Sequence, residues 1–192
     1  LSFDRNVISS QKAFQLTKDL YNISSSKTKS ITKAQELEKK AIERKQEMLK
    51  LAEDNPTQFL SLSIKKKQRD TILKSVSQYI ESETSKDGIL EILEKPHLNS
   101  ERKNIVIDGN DFEYFLKAGD KKYTLKFADG SQPFISGGAS VKVNGISLDN
   151  YLVTSSARTK ALTITKNVDV AENIGVQKIA IIITKAPGEP DP

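Results

Sequence analysis

Apolar and polar positions follow two periods along this chain, and the change falls near Asp87-Gly88. Before it the spacing is helical. Ala34, Leu37, Ala41, Met48 and Leu51 recur at intervals of three, four and seven, which places one apolar stripe along a helix of about five to six turns. Thr32-Lys33-Ala34-Gln35 has the capping-box pattern at its start, a hydroxyl and an amide that satisfy free N–H groups. Arg44 stands in the middle of the stripe, so the pattern predicts one helix packed on a neighbour rather than a coiled coil. Asp54-Asn55-Pro56 ends this helix and opens another, because Asn caps well and Pro suits a first helical position. Further on, Ile72, Val76, Tyr79 and Ile80 share a face. Ahead of the stripe, Phe14, Thr17 and Tyr21 carry a diluted helical spacing, followed by the polar run "SSSKTKS". A short helix and a flexible joint are expected there.

After Gly88 the period is two. "GILEILE" has apolar residues on both faces, as a barrel strand can. "DFEYFLK" and "YTLKFA" alternate, joined by the Gly-containing hairpin connection "KAGDKK". "GGASVKVNGISLDN" then supplies two more strands, through Val141–Val143 and Ile146–Val153, hinged on Gly145. Five short strands leave two exposed edges, and closing them into a barrel removes both. The expected interior is Tyr114, Leu116, Leu125, Phe127, Val141, Val143 and Ile146, with Tyr123 in phase. The expected fold is therefore α+β: an N-terminal helical segment followed by a small five-stranded antiparallel β-barrel, OB-like first and SH3-like second. The divisions fall at 1–29 (flexible or short-helix lead-in), 30–86 (helical segment), 87–170 (barrel) and 171–192 (apolar strand and linker). In that last stretch, "VQKIAIIITK" reads as a strand and "APGEPDP" as a linker toward a further domain.

Composition adds constraints. The 36% hydrophobic and 29% charged content fits a modest core with a solvated extension. The net charge of +5 is uneven: residues 1–86 hold 17 Lys/Arg against 11 Asp/Glu, and residues 87–192 hold 13 against 14. Basic character thus belongs to the front half, where the Lys65–Lys67 run has no interleaved aromatics and reads as a solvated helix start rather than a phosphate site. Cysteine is absent, which excludes disulfides, thiol nucleophiles and Cys-ligated metal. No apolar run approaches the ~20 residues of a membrane helix. Leu1 in place of an initiator Met is what removal of a leader would leave.

The chemistry-bearing motifs are missing. His97 is the one histidine, and it has no Cys or second His to complete a metal set. There is no H-E-x-x-H, G-x-S-x-G, P-loop or G-x-G-x-x-G. Asp108 and Asp111 fall in a "DGND" stretch, where turn geometry already calls for them. No enzyme activity and no cofactor are expected. In the barrel region one aromatic, Phe115, breaks the apolar phase beside Lys117, and these two are candidate partner contacts. Ile179, Ile181 and Ile183 are the others, since a strand apolar on both faces belongs inside a sheet and an exposed edge invites pairing with a second copy through 177–184.

Several stretches taken in order, "LAEDNPTQFLSLSI", "DGILEILE", "YFLKAGDKKYTLKFAD", "SGGASVKVNGISLDNYLV" and "NIGVQKIAIIIT", resemble the non-catalytic N-terminal region of bacterial gametolysin-like secreted metallopeptidases and related surface proteins. The resemblance covers about residues 47–185. It implies a helical segment and a small β-domain ahead of another domain, in a secreted or cell-envelope protein. The zinc ligands of that family lie beyond these residues, so no site residue carries over. After the apolar strand this chain continues Thr184-Lys185-Ala186-Pro187, unlike the Asn-Phe type continuation of the peptidase members. The resulting expectation is a non-catalytic, pro-region-like accessory module that contacts a downstream domain of its own polypeptide or another protein. An OB-type single-stranded nucleic-acid binder is the alternative. The net charge of −1 over residues 87–192 and the lack of Trp count against it, and no specific nucleic-acid binding is expected.

Overall fold

A computed structural model of the chain describes residues 2–25, 31–70, 72, 74–94, 97–99, 104–106, 112–133, 135, 137–158 and 161–166. Two long helices, α1 (Ser2–Ser25) and α2 (Ile31–Asp54), pack along one another. In α2 the predicted stripe is buried at Leu37, Ala41, Met48 and Leu51, and Arg44, Glu47 and Ala52 are buried with it. Ala34 is exposed. α1 is longer than its diluted pattern predicts. Its inward face is Ala13, Leu16 and Leu20, while Phe14 remains 51% exposed. Packing on α2 stabilises a helix whose own composition is marginal.

Asn55 caps α3 (Pro56–Leu62), its side-chain oxygen accepting from the Gln58 N–H at 3.1 Å. The Lys65–Lys67 run opens a single exposed turn, α4 (Lys66–Arg69). A 3-10 helix follows at Lys74–Tyr79. Here Ile72, Val76 and Ile80 bury against Leu20, Leu37, Ala41 and Ile64, and the Tyr79 hydroxyl donates to Glu38 at 2.9 Å.

The barrel is built from β1 (Ser82–Glu94), β4 (Phe112–Ala118), β5 (Lys121–Phe127), β6 (Ser140–Leu148) and β7 (Tyr151–Thr154). Between β1 and β4, β2 (His97–Asn99) and β3 (Asn104–Val106) pair separately. β8 (Leu162–Lys166) adds to β6. The circuit runs β1-β4-β5-β7-β6 and closes through β6–β1. Four of its pairings are antiparallel and one, β5 with β7, is parallel. Counting barrel strands in chain order gives 1-2-3-5-4-1, a five-stranded Greek-key barrel of OB type. The all-antiparallel expectation is thus corrected at one pair. β7 folds back on β6 through a tight turn at Asp149-Asn150, with Asp149 at φ 54°, and this sets it running alongside β5 in the same direction.

Two strand boundaries also change. β1 begins at Ser82, ahead of the expected start, because the polar stretch before Gly88 pairs with β6. Pairing passes to β4 from Ile89 onward. β6 is one continuous strand rather than two hinged on Gly145. The glycine serves another purpose: a Cβ there would sit 2.4 Å from the Val153 carbonyl oxygen, and one at Gly88 would sit 2.4 Å from that of Lys117. Close backbone approach, not a hinge, is what these positions require. Because β6 keeps its phase, Ile146 points away from the barrel interior and packs with the helices instead. The interior holds Leu90, Leu116, Tyr123, Leu125, Phe127, Val141, Val143, Leu152 and Leu162, with Tyr114 half-buried and edge-on to Phe127 at 5.5 Å.

Ala13, Met48, Leu51, Ala52 and Phe59 form one cluster with Leu148 and Val153, so the helices cover the β6–β7 side of the barrel. Below that cluster lies a buried ion pair. Arg44 donates to both Glu81 oxygens, at 2.6 and 2.9 Å, and both side chains are 0% exposed. Its Nε reaches Thr17 of α1 at 2.7 Å and its Nη2 the Leu62 carbonyl at 3.1 Å, while Glu81 also accepts from the Ile64 N–H at 2.6 Å. Arg44 interrupts the apolar stripe because Glu81, at the root of β1, meets it there.

Candidate interaction face

With β6 and β7 covered by helices, the outward side of β1, β4 and β5 is the face on which residues sensed by the sequence pattern remain accessible. Strand pairing arranges it in three cross-strand rows. Ile89, Lys117 and Lys122 form the first, Glu91, Phe115 and Thr124 the second, and Leu93 with Glu113 the third. Alternation points these residues outward because Leu90, Tyr114, Leu116, Tyr123 and Leu125 point in.

Phe115 and Lys117, expected as partner contacts, both lie on this face. Phe115 is half-buried, and the reason is Lys122: its ammonium sits 4.1 Å from the ring centroid and goes on to Glu91 at 2.7 Å. The Lys122 side chain therefore crosses β4 over the ring and ends in an ion pair on β1. Its hydrogen bond holds the Glu91 carboxyl below the usual carboxylate range, against a smaller upward push from burial. On either side of this bridge, Ile89 is 39% and Leu93 48% exposed. Sequence reasoning did not single out Ile89, Glu91, Leu93 or Lys122. The signal was the two-faced apolar pattern of "GILEILE", one face of which is interior and the other this surface.

Beyond this face the polar groups serve the helix–barrel contact. Glu53 of α2 accepts from Tyr151 at 2.8 Å and pairs with Lys126 at 2.9 Å, Lys45 pairs with Asp149 at 2.6 Å, and the Thr57 hydroxyl donates to the Ala128 carbonyl. Burial, and then the bond to Glu53, push the Tyr151 phenol up to about 12. At the far side of the helix pair, burial would raise the Glu47 carboxyl, but hydrogen bonds from Lys12, Ser9 and Lys50 outweigh it and leave it lowered. A cleft of about 220 Å³ lies between Phe112–Tyr114, Thr124–Phe127 and Gly130–Gln132. Among the described residues no group of three or more His, Cys, Asp or Glu is placed to hold a metal ion, and no helix is long and apolar enough to cross a membrane. Asp108, Asp111, Ile179, Ile181, Ile183 and the whole of 177–184 lie outside the described residues, and His97 falls in β2.

No family model, curated protein or solved structure matches the chain.

Proposed function

We propose that the chain is a non-catalytic accessory or interaction module of a secreted or cell-envelope protein. Its β1–β4–β5 face packs on a downstream domain of the same polypeptide or on another protein. The observation that carries this reading is the Lys122–Phe115–Glu91 bridge flanked by exposed Ile89 and Leu93. OB barrels that hold single strands use the same strands, with bare aromatic rings for stacking and a basic groove for phosphates. Here the ring lies beneath a lysine, and that lysine's charge is matched by a carboxylate. Stacking a base on Phe115 requires displacing Lys122 and stranding Glu91. Aliphatic side chains beside a neutralised charge pair suit a protein surface, which buries apolar area and leaves matched polar groups at its rim. The ordered resemblance of residues 47–185 supports the secreted or envelope setting.

Carbene footprinting of this chain alone and within its full native polypeptide tests the reading. Labelling of Ile89, Leu93 and Phe115 is expected to fall in the full polypeptide or in its complex with a partner. Tight oligo-dT binding at physiological salt, abolished by Phe115→Ala, with no change in labelling, would overturn it in favour of a nucleic-acid binder.

A further inference from the structure

We infer that residues 177–184, which lie outside the described residues, return to the barrel and pair antiparallel with the free edge of β8. This goes beyond the β1–β4–β5 contact face and does not depend on it. β7 and β8 stand one after the other along the same edge of β6, at residues 146–148 and 140–143, because β1 holds the other edge. β5 covers the far edge of β7, whereas among the described residues no strand covers the far edge of β8. The Asn144 N–H donates to the Ala161 carbonyl at 2.7 Å. In an antiparallel ladder this sets the parity: the N–H and C=O groups of Ala161 and Thr163 face β6, and those of Leu162 and Ile164 face outward along the edge. The side chains carry the same message. Leu162 is buried in the barrel interior, but Ile164, on the same side of the strand and opposite the fully buried Val141, is 44% exposed. On the other side of β8, Thr163 and Thr165 are polar and exposed. An interior-facing isoleucine left open beside a free edge calls for an apolar strand next to it.

Residues 177–184 match that edge in phase and in reach. Ile179, Ile181 and Ile183 share one phase and suit the side of Leu162 and Ile164, while Lys178, Ala180, Ile182 and Thr184 suit the side of Thr163 and Thr165. Ten residues, 167–176, join the two stretches. They span at most about 33 Å, ample for strands about 4.8 Å apart, and fall short of the roughly a dozen that a parallel crossover uses. The connection therefore favours an antiparallel return. It also favours the chain's own segment over that of a second copy, because a short tether holds it at an effective concentration in roughly the millimolar range.

Hydrogen exchange of the intact chain, followed amide by amide by NMR, is the experiment. Thr163 faces β6 and should be protected whatever lies on the far edge. Leu162 and Ile164 should be protected with it, by at least about a hundredfold over an unstructured chain, and exchange at the unstructured rate overturns the inference. Ile181→Asp should abolish the protection of Leu162 and Ile164 while sparing Thr163 and Leu116, whereas Ile182→Asp, in the opposite phase, should spare all four. Protection of Leu162 and Ile164 that survives Ile181→Asp also overturns it. Because the chain has no cysteine, a disulfide gives a second reading that needs no charge in the strand. Ile164→Cys combined in turn with Ile179→Cys, Ile181→Cys and Ile183→Cys should oxidise within one molecule in at least one of the three, and combined with Ala180→Cys should not. Failure of all three overturns the pairing. Disulfides that form only between molecules, or protection that falls on dilution, overturn it as well and assign the edge to a second copy.

Discussion

Two cation–carboxylate pairs of nearly equal length bracket β1, one among the helices at its root and one on its outward face. Arg44 meets Glu81 at 2.6 Å with both side chains 0% exposed; Lys122 meets Glu91 at 2.7 Å with 47% and 36% exposed. Distance does not distinguish them; their surroundings do. The buried pair is saturated by Thr17, the Leu62 carbonyl and the Ile64 N–H, so the pair fixes α1, α2, the end of α3 with the residues just after it and the root of β1 together. The exposed pair ties β5 to β1 across β4, to which both are already held by backbone hydrogen bonds, and water can replace either partner. The first pair is a structural joint. The second conditions a surface by covering an aromatic ring without leaving net charge over it.

The strongest way to break this contrast is Glu81→Ala. It leaves a guanidinium buried without its counter-charge, and removal of one partner from such a pair costs about 3–5 kcal/mol. Urea denaturation should show a loss in that range, and a loss too small to resolve would mean that water enters the joint. Replacing both partners, Arg44→Met with Glu81→Leu, should recover part of the loss but not all, because the Ile64 N–H and Leu62 carbonyl remain stranded.

A smaller effect sits at the Tyr151–Glu53 contact. The folded phenol is raised to about 12 from 10.0, so the neutral form is favoured in the fold. Its contribution is fully present below about pH 10, where the unfolded phenol begins to ionise, and is lost as pH rises through about 12. Stability measured across that window should fall less steeply for Tyr151→Phe than for the native chain, and parallel curves would remove Tyr151 from the helix–barrel contact.

The least effect on stability is expected from Glu91→Gln. The thermal midpoint should stay within experimental error, while footprinting of Phe115 should increase as Lys122 loses its anchor. A large drop in melting temperature would show that the two pairs are closer in kind than their exposure indicates.

The sequence by itself determined the order of elements and much of the packing. Period-two runs placed Leu116, Leu125, Val141 and Val143 inside a closed barrel, the Asn55-Pro56 cap opened α3, and the helical stripe put Leu37, Met48 and Leu51 in the core. Local spacing suffices there, because each of these residues needs only an apolar neighbour, whichever one it is. Phe115 and Lys117 were also legible, as departures from phase. Only the tertiary structure decided that Arg44 completes an ion pair with Glu81, 37 residues away, that Ile146 turns toward the helices, and that Lys122 reaches over Phe115 to Glu91 on another strand. Each of these depends on which strand lies beside which and on where a backbone passes close enough to demand a glycine. Such closure comes from contacts far apart in the chain, and a periodicity read over ten residues carries no record of them.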